Sequence, residues 1–350
     1  MKVLTRFAAG TLAGLLVLPG CASEPSMIDP ATRGGLAEPS LAFGPYSDWS
    51  EPVNLGPAIN TEFPDQGPYV SKDELTLYFA SQRPAPEGFG ANDIYVSTRK
   101  DKDDSWGPGV NLGTGINTSG TESTPALSRD EKLLYFASNG HPGASGLDIW
   151  VSTRLDKSDP LGWGPPVKLV GGVNSAANDL GPAPFYDRKT KTFTMYFYAI
   201  RLGGSGCRDI YRSTQAANGE FGPAIHVTEL NTPGEDEQPA IRRDGLEIFF
   251  GSNRPMGAPC QGAGNPGGEL YVSMRASTSD AWSVPVNLRM PINTPGAEGR
   301  PALSFDGRSL YFFSDGHGGE GSTDLFVSTR TKLDCEGENL DCDGGGDDED

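Results

Sequence analysis

Apolar positions along the chain follow one pattern that recurs five times. A short run rich in tyrosine and phenylalanine is followed by a glycine-rich stretch and then by a second run such as Asp-Ile-Tyr-Val-Ser-Thr. Runs of this length, rich in β-branched and aromatic residues and bounded by glycine, predict strands rather than helices. The second run begins at Asp93, Asp148, Asp209, Glu269 and Asp324.

The interval between copies identifies the kind of repeat. A turn with an aspartate precedes each aromatic run, and these turns recur every 57 residues, with one interval of 62. Repeats of roughly 40–50 residues with several strands each are typical of β-propeller blades. The turn aspartates are Asp73, Asp130, Asp187, Asp244 and Asp306.

Two further segments complete a four-stranded blade. A Pro-Ala-Leu-Ser type segment has small side chains that suit the crowded innermost strand, and a Trp-x-x-Pro-Val-Asn-Leu segment has a proline that suits an outer edge. The chain opens with an outer strand and closes with a third strand. We therefore predict an all-β, five-bladed β-propeller over residues 49–330, closed by pairing strand 49–55 with strand 324–330, which removes two open edges.

Composition argues against one class of function. The chain has 46 acidic and 28 basic residues and a formal net charge of −18, which argues against nucleic-acid binding because phosphates require clustered Lys and Arg. The charge itself is explained by solubility. We expect a monomer that binds no nucleic acid.

The N-terminus carries an export pattern. Residues 1–20 combine Lys2 and Arg6 with an apolar stretch, which predicts a signal peptide, and Leu-Pro-Gly-Cys ending at Cys21 resembles the lipobox of bacterial lipoproteins. That resemblance implies lipidation at Cys21, a lipid anchor in the membrane and, since Ala22 follows the cysteine, an outer-membrane location on its periplasmic side or at the cell surface. Residues 21–48 are rich in Pro, Ser, Gly and Ala and predict a flexible tether.

The C-terminal residues 331–350 form an acidic, glycine-rich segment that predicts a disordered tail. Four cysteines besides Cys21 allow two disulfides in an exported chain. Cys207 with Cys260, in the same loop of adjacent repeats, and Cys335 with Cys342 are the favoured pairs, with a metal site as the alternative.

The repeat motif resembles a known family. The string Pro-x-x-Ser-x-Asp-Gly-x-x-Leu-Tyr-Phe-x-Ser-x-Arg-Pro followed by Asp-Ile-Tyr-Val-Ser is similar to the TolB-type, WD40-like propeller repeat of bacterial envelope proteins, with Arg83 and Arg254 in the best copies. The second and fifth repeats carry His141 and His317 instead, and five blades are fewer than the six of the TolB propeller. The resemblance implies an envelope protein with a protein or glycan partner.

Candidate chemistry lies on the face that carries the long loops. We expect ligand contacts there from a loop position that holds a cation or a histidine. The candidates are Arg83, His141, Arg201, Arg254 and His317.

Each repeat also places one acid three residues before a proline, near the predicted channel mouth. A glycan-active hydrolase could use two of these acids, with Asp65, Asp179 and Glu298 as the candidates. A repeated acid is explained more simply as a structural group, because a catalytic pair needs two different environments. The five acids are Asp65, Glu122, Asp179, Asp236 and Glu298.

The sequence therefore favours a non-catalytic, membrane-anchored binding scaffold over an enzyme. A glycan-active hydrolase is the alternative. We expect no cofactor, with calcium in the channel as a further hypothesis.

Overall fold

The computed structural model describes residues 46–254 and 268–333. In this part of the chain all regular elements are strands, arranged as five four-stranded antiparallel sheets. The prediction of an all-β, five-bladed propeller is confirmed. No helix in these two ranges has the length and apolar character of a membrane span.

Each blade runs from an inner to an outer strand. Blade 1 comprises β2 (Asp65–Val70), β3 (Thr76–Ser81), β4 (Asp93–Thr98) and β5 (Val110–Asn111). Blade 2 comprises β6 (Glu122–Leu127), β7 (Leu133–Ser138), β8 (Asp148–Thr153) and β9 (Val167–Lys168). Blade 3 comprises β10 (Asp179–Asp187), β11 (Thr192–Ala199), β12 (Asp209–Thr214) and β13 (Ile225–His226). Blade 4 comprises β14 (Asp236–Ile241), β15 (Glu247–Ser252), β16 (Glu269–Met274) and β17 (Val286–Asn287), and blade 5 comprises β18 (Glu298–Leu303), β19 (Ser309–Ser314), β20 (Asp324–Thr329) and β1 (Val53–Asn54).

The ring closes where the sequence predicts. β1 pairs antiparallel with β20, with Val53 opposite Val327. A bridge between Tyr46 and Lys332 extends this contact beyond the predicted limits of 49–330. Asn60 reinforces it from the next loop: its side chain donates to the carbonyl of Leu325 at 3.0 Å and accepts from the Leu325 N–H at 2.8 Å.

The hydrophobic core lies between neighbouring blades. Tyr78 and Ile94 of blade 1, for example, pack with Phe136 of blade 2 in one buried cluster. Stacked rings recur within the blades, as in Phe79 with Tyr95, whose centroids are 5.8 Å apart. Such a pair adds about 1 kcal/mol beyond the area it buries.

The inner strand of every blade carries a bulge that shapes the central channel. In each inner strand the pairing register shifts after the second residue, and the third residue, directly before a proline, has a positive φ. Glycine occupies this position in two blades, whereas Thr124, Gln238 and Arg300 occupy it in the others. Non-glycine residues in this region are uncommon and strained, and they concentrate at functional sites.

The strand order defines two faces. Loops from outer to inner strands and from second to third strands emerge on one side, which we call the long-loop face. Turns from inner to second strands emerge on the opposite side, which we call the Asp-turn face, because each carries an aspartate such as Asp73 or Asp130.

Several predictions fall outside the described residues. These are the signal peptide, lipidation at Cys21, nearly all of the tether, Cys260 and the tail cysteines Cys335 and Cys342. Cys207 does take part in a disulfide. Its pairing with Cys260 stays a prediction.

Replacing Asn60 with alanine should weaken ring closure. The change removes two hydrogen bonds to the backbone of β20 and leaves buried groups unpaired, which costs about 2 kcal/mol of unfolding free energy. Denaturant unfolding monitored by near-ultraviolet circular dichroism measures it. Asn218→Ala, in an exposed turn, is the matched control, and an equal loss in both variants would contradict the role of Asn60.

Candidate functional site

The five repeated acids of the long-loop face are bonded into the loops. Each is buried and accepts both the backbone N–H and the hydroxyl of the Thr or Ser four residues before it. For Asp179 these distances from Ser175 are 2.6 and 2.8 Å. The same pair of bonds holds Asp236 and Glu298. Each acid therefore closes the loop that leads into its inner strand.

The predicted ligand-contact residues belong to the same arrangement. Where the acid is an aspartate, an arginine from the next loop reaches it: Arg201 lies 2.6 Å from Asp179 and also donates to the carbonyl of Val173 at 2.7 Å. Arg83 and Arg254 pair with their aspartates in the same way.

Where the repeated acid is a glutamate, a histidine occupies the loop position that an arginine holds in the other blades. In blade 2 a serine hydroxyl donates to Glu122 at 2.6 Å, while His141 bonds the carbonyl of Ile116 at 3.0 Å. His317 bonds the carbonyl of Ile292 at 2.9 Å in blade 5. The same serine bond occurs in blade 4, where Ser252 donates to Asp236 at 2.6 Å beside Arg254. All five ligand-contact candidates thus hold loop carbonyls rather than facing an open site.

The shared structural role of the repeated acids argues against their use as a catalytic pair. Burial raises the pKa of Asp65, Asp179 and Glu298 above the usual range of carboxyl groups, against the opposing effect of their hydrogen bonds. All three share the loop-closing bonds to a Ser or Thr, although Asp65 and Asp179 pair with an arginine and Glu298 does not. Two carboxyls that divide the work of acid and base need different environments.

Blade 4 differs from the other blades in the residues that flank its repeated acid. Glu235 and Glu237 flank the repeated Asp236, and no other blade has acids at both of these positions. Alternate residues of a strand point to the same side. The two glutamates therefore face away from the loop that Asp236 closes.

One arginine joins the two glutamates. Arg208 Nη1 lies 2.6 Å from Glu237 Oε2 and 3.9 Å from Glu235 Oε2. The side chains are 20 % exposed for Arg208, 6 % for Glu235 and 13 % for Glu237. The backbones of Arg208 and Glu235 are bridged as well, so the arginine is fixed beside the pair.

The two carboxyls differ in their distance from Arg208. Glu237 accepts a hydrogen bond from the guanidinium at 2.6 Å, whereas Glu235 lies 3.9 Å from the same nitrogen. Burial raises the pKa of Glu235, the neighbouring Glu237 raises it further, and Arg208 acts in the opposite direction. A carboxyl with a raised pKa beside a second carboxyl is an arrangement that acid–base chemistry can use.

Three more polar side chains surround the pair. Tyr198 is buried, which raises its pKa to about 12, and it accepts a hydrogen bond from Gln238 at 3.3 Å. Arg300, at the bulge of blade 5, interacts electrostatically with Tyr198 and Glu237. Arg300 Nη1 is buried without a hydrogen-bond partner. An unpartnered buried N–H is costly, which marks this point as one that would favour an acceptor.

Gln238 and Arg300 also line the central channel. The cavity there measures about 90 Å³ and is otherwise lined mainly by the prolines and small residues of the five inner strands. This is room for a few water molecules rather than a sugar ring.

No group of three or more His, Cys, Asp or Glu side chains within residues 46–254 and 268–333 is arranged to hold a metal ion. The calcium hypothesis stays unconfirmed. Arg300 places a positive charge in the channel, which opposes a cation at that point.

Three solved structures share this fold. The catalytic domain of the Coprinopsis cinerea GH62 α-L-arabinofuranosidase has a TM-score of 0.53 and 13% sequence identity, covering 83% of this chain and 98% of that one. A thermostable family-43 glycoside hydrolase has a TM-score of 0.52 and 14% identity, covering 85% and 98%. The α-L-arabinofuranosidase of Lactobacillus brevis has a TM-score of 0.54 and 15% identity, covering 79% and 92%. No family model matches the chain, and no curated protein matches it in sequence.

These comparisons correct the resemblance to TolB-type repeats. The structural neighbours are five-bladed glycoside hydrolase propellers. The motif that suggested TolB consists of turn and strand residues such as Asp73 and Tyr78, which build a blade and specify no activity. The lipoprotein and outer-membrane expectations gain no support from the comparisons and rest on the first residues of the chain.

The expectation of a non-catalytic scaffold was also wrong. The three neighbours are hydrolases, so the hydrolase alternative is the better supported of the two and the preference against an enzyme is overturned. The acids proposed for that alternative still fail on geometry, because they close the loops. Sequence reasoning missed Arg208, Glu235 and Glu237. A sequence signal for the two glutamates was available, because the fourth repeat differs from the other four at the positions on either side of the repeated acid.

Asp179→Asn should destabilise the fold. It leaves Arg201 without its buried carboxylate, and breaking a buried ion pair costs about 3 kcal/mol or more. Thermal unfolding of this variant and of Asp103→Asn, an exposed aspartate of a connecting loop, measures the difference. Equal melting temperatures for the two variants would show that Asp179 does not hold the loop.

Proposed function

We propose that this propeller hydrolyses glycosidic bonds with Glu235 and Glu237. The observation that carries the proposal is the departure from the repeat in blade 4, where Arg208 lies 2.6 Å from Glu237 and 3.9 Å from Glu235. Glycoside hydrolysis uses two carboxyls, one protonated and one ionised. The fold similarity to glycoside hydrolases supports the reaction class.

Glu235 serves as the general acid. Its raised pKa keeps the proton on the carboxyl, from which it passes to the glycosidic oxygen as the bond from that oxygen to the anomeric carbon breaks. The leaving sugar departs as an alcohol. Burial, which disfavours the charged form, provides the physical cause.

Glu237 supplies the negative charge. Its carboxylate, ion-paired with Arg208, faces the positive charge that develops on the departing sugar ring, and it either attacks the anomeric carbon or accepts a proton from the attacking water. If Glu237 attacks, it forms an ester with the anomeric carbon; water then gives its proton to Glu235 and breaks that ester, which frees Glu237. If Glu237 is the base, it takes the proton of the attacking water and releases it to solvent, from which Glu235 is protonated again. Arg208 acts as a positioning residue that holds the Glu237 carboxylate through a 2.6 Å contact.

The substrate class follows from the neighbours. Two of the three structures are α-L-arabinofuranosidases, so arabinofuranosides and arabinose-containing polysaccharides are the first substrates to test. The export pattern of residues 1–20 supports action on glycans outside the cytoplasm, with an anchor at Cys21 if the lipobox is processed.

Three consecutive acids provide a direct test. Glu235→Gln and Glu237→Gln should each lower kcat/KM on nitrophenyl glycosides and arabinan at least about 100-fold, since each removes a proton-transfer or charge-stabilising group. Glu235→Gln should keep the wild-type melting temperature. Glu237→Gln leaves Arg208 without its close carboxylate and should lower it, so the activity of this variant is measured below its unfolding transition. Asp236→Asn should instead lower the melting temperature, because that carboxylate closes its loop.

The outcome is decisive for the assignment. Wild-type hydrolysis that survives in both glutamate variants would contradict the proposal. Wild-type protein that cleaves none of a panel of arabinofuranosides, xylosides and galactosides would contradict it as well.

Arg208→Met should shift the pH profile. The guanidinium lowers the pKa of Glu235, so its removal raises that pKa further. The fall in kcat/KM at high pH, which marks loss of the Glu235 proton, should then move to higher pH. Arg212→Met, which alters a cation lining a separate groove, should leave the profile in place. An unchanged profile in Arg208→Met would contradict the role of Glu235 as the acid.

A further inference from the structure

The Asp-turn face carries a basic and aromatic ring around the channel exit. The residue before the turn aspartate comes from a different blade each time, and the five are Lys72, Arg129, Tyr186, Arg243 and Phe305. Four of them line one small cavity with apolar inner-strand residues. In a chain with a formal net charge of −18, three cations at one opening are a local reversal of sign.

The three cations converge on one phenylalanine. Arg243 lies 4.4 Å, Lys72 4.7 Å and Arg129 5.9 Å from the centre of the Phe305 ring. A ring face attracts a cation by about 0.5–1 kcal/mol at an exposed site. Mutual repulsion of three like charges is only partly offset by this attraction.

No ion pair among the described residues includes Lys72, Arg129 or Arg243. One carboxylate does lie close by, since Glu131 accepts from the backbone N–H of Lys72 at 2.5 Å. The turn aspartates nearest to them are already engaged: Asp73 accepts from Ser71 at 2.5 Å, and Asp130 accepts from Ser128 at 2.6 Å. Asp244 is paired with Arg242. Burial and then repulsion by Arg188 and Arg243 lower the pKa of Arg129, so the local field favours an anion at this opening.

The described chain ends near this face and continues into an acidic segment. After β20 the backbone N–H of Arg330 bonds the carbonyl of Arg308, and the Arg330 side chain donates to Gly307, both in the turn that carries Phe305. Residues 334–350 follow directly. They contain nine acidic residues and no basic residue.

We infer that residues 334–350 dock on the ring of Lys72, Arg129 and Arg243 of the same molecule, with their carboxylates against the cations. Seventeen residues span about 50 Å when extended, which exceeds the radius of gyration of about 19 Å for a domain of this size. A tethered segment acts at an effective concentration of about millimolar.

An acidic partner from outside is less favoured. The net charge of −18 repels a free polyanion before it reaches the ring, whereas the tail is tethered to the chain that carries the ring. The contact requires no fixed tail conformation, since charge attraction depends on the number of carboxylates near the opening. It lies on the face opposite Glu235 and Glu237, so it is independent of the proposed hydrolysis.

Arginine modification tests the inference in the full chain. Phenylglyoxal followed by mass spectrometry measures the reactivity of Arg129 and Arg243 in the unaltered protein and in a variant whose nine tail acids, from Asp334 to Asp350, are replaced by Asn or Gln. Arg212, partly buried like Arg129 and lining a separate groove, is the internal control. The variant changes no described residue, and its melting temperature checks the fold.

We expect at least about threefold lower reactivity of both ring arginines in the unaltered protein at low salt, with the difference lost near 1 M salt, where screening acts within about 3 Å. Arg212 should react equally in both proteins. Equal reactivity of Arg129 and Arg243 with and without tail charges would overturn the inference.

Two other outcomes would point to a different occupant of the ring. Protection that disappears on dilution would show that the tail of a second molecule binds there. Protection that appears only with added polygalacturonate would show that the ring binds an external acidic glycan. Either result would contradict docking of the tail on its own molecule.

Discussion

Each blade depends on one buried carboxylate that fixes the loop entering its inner strand. In blade 3, Asp179 accepts the N–H and the hydroxyl of Ser175 and pairs with Arg201. A buried charge is tolerated only when hydrogen bonds and an opposite charge replace its hydration. Five such loops surround the channel and set the start of every inner strand, and therefore the direction in which the following residues point.

Because the repeated acid is committed to its loop, function depends on its neighbours. The residues directly before and after it face the other side, and the third residue of each inner strand sits in a strained bulge. These are the positions that differ between blades. Blade 4 contributes Glu235 and Glu237, blade 3 contributes Arg208, and blade 5 contributes Arg300. The symmetric frame thus holds one asymmetric polar cluster on the long-loop face.

The sequence predicted much of the fold because the repeat is written into its strands and turns. The offset of the repeat at the two ends predicted the pairing of β1 with β20, since an outer strand without a third strand must find one elsewhere. The site was harder to predict. A repeat draws attention to shared residues such as Asp65 and Arg83, whose partners become visible only when loops of one blade come together. Glu235 and Glu237 share Arg208 across two blades, a contact that no local pattern encodes. The resemblance to TolB-type repeats failed for the same reason, since it rested on residues that build a blade.

The central claim is that burial beside Glu237 and Arg208 fits Glu235 to act as an acid, and titration of this side chain tests it without a substrate. Carbon-13 NMR of glutamate carboxyl groups, with the Glu235 signal assigned by its loss in Glu235→Gln, gives the pKa. The account predicts that Glu235 titrates above the ordinary value for glutamate of 4.5. Titration of Glu235 at or below the ordinary value would contradict it.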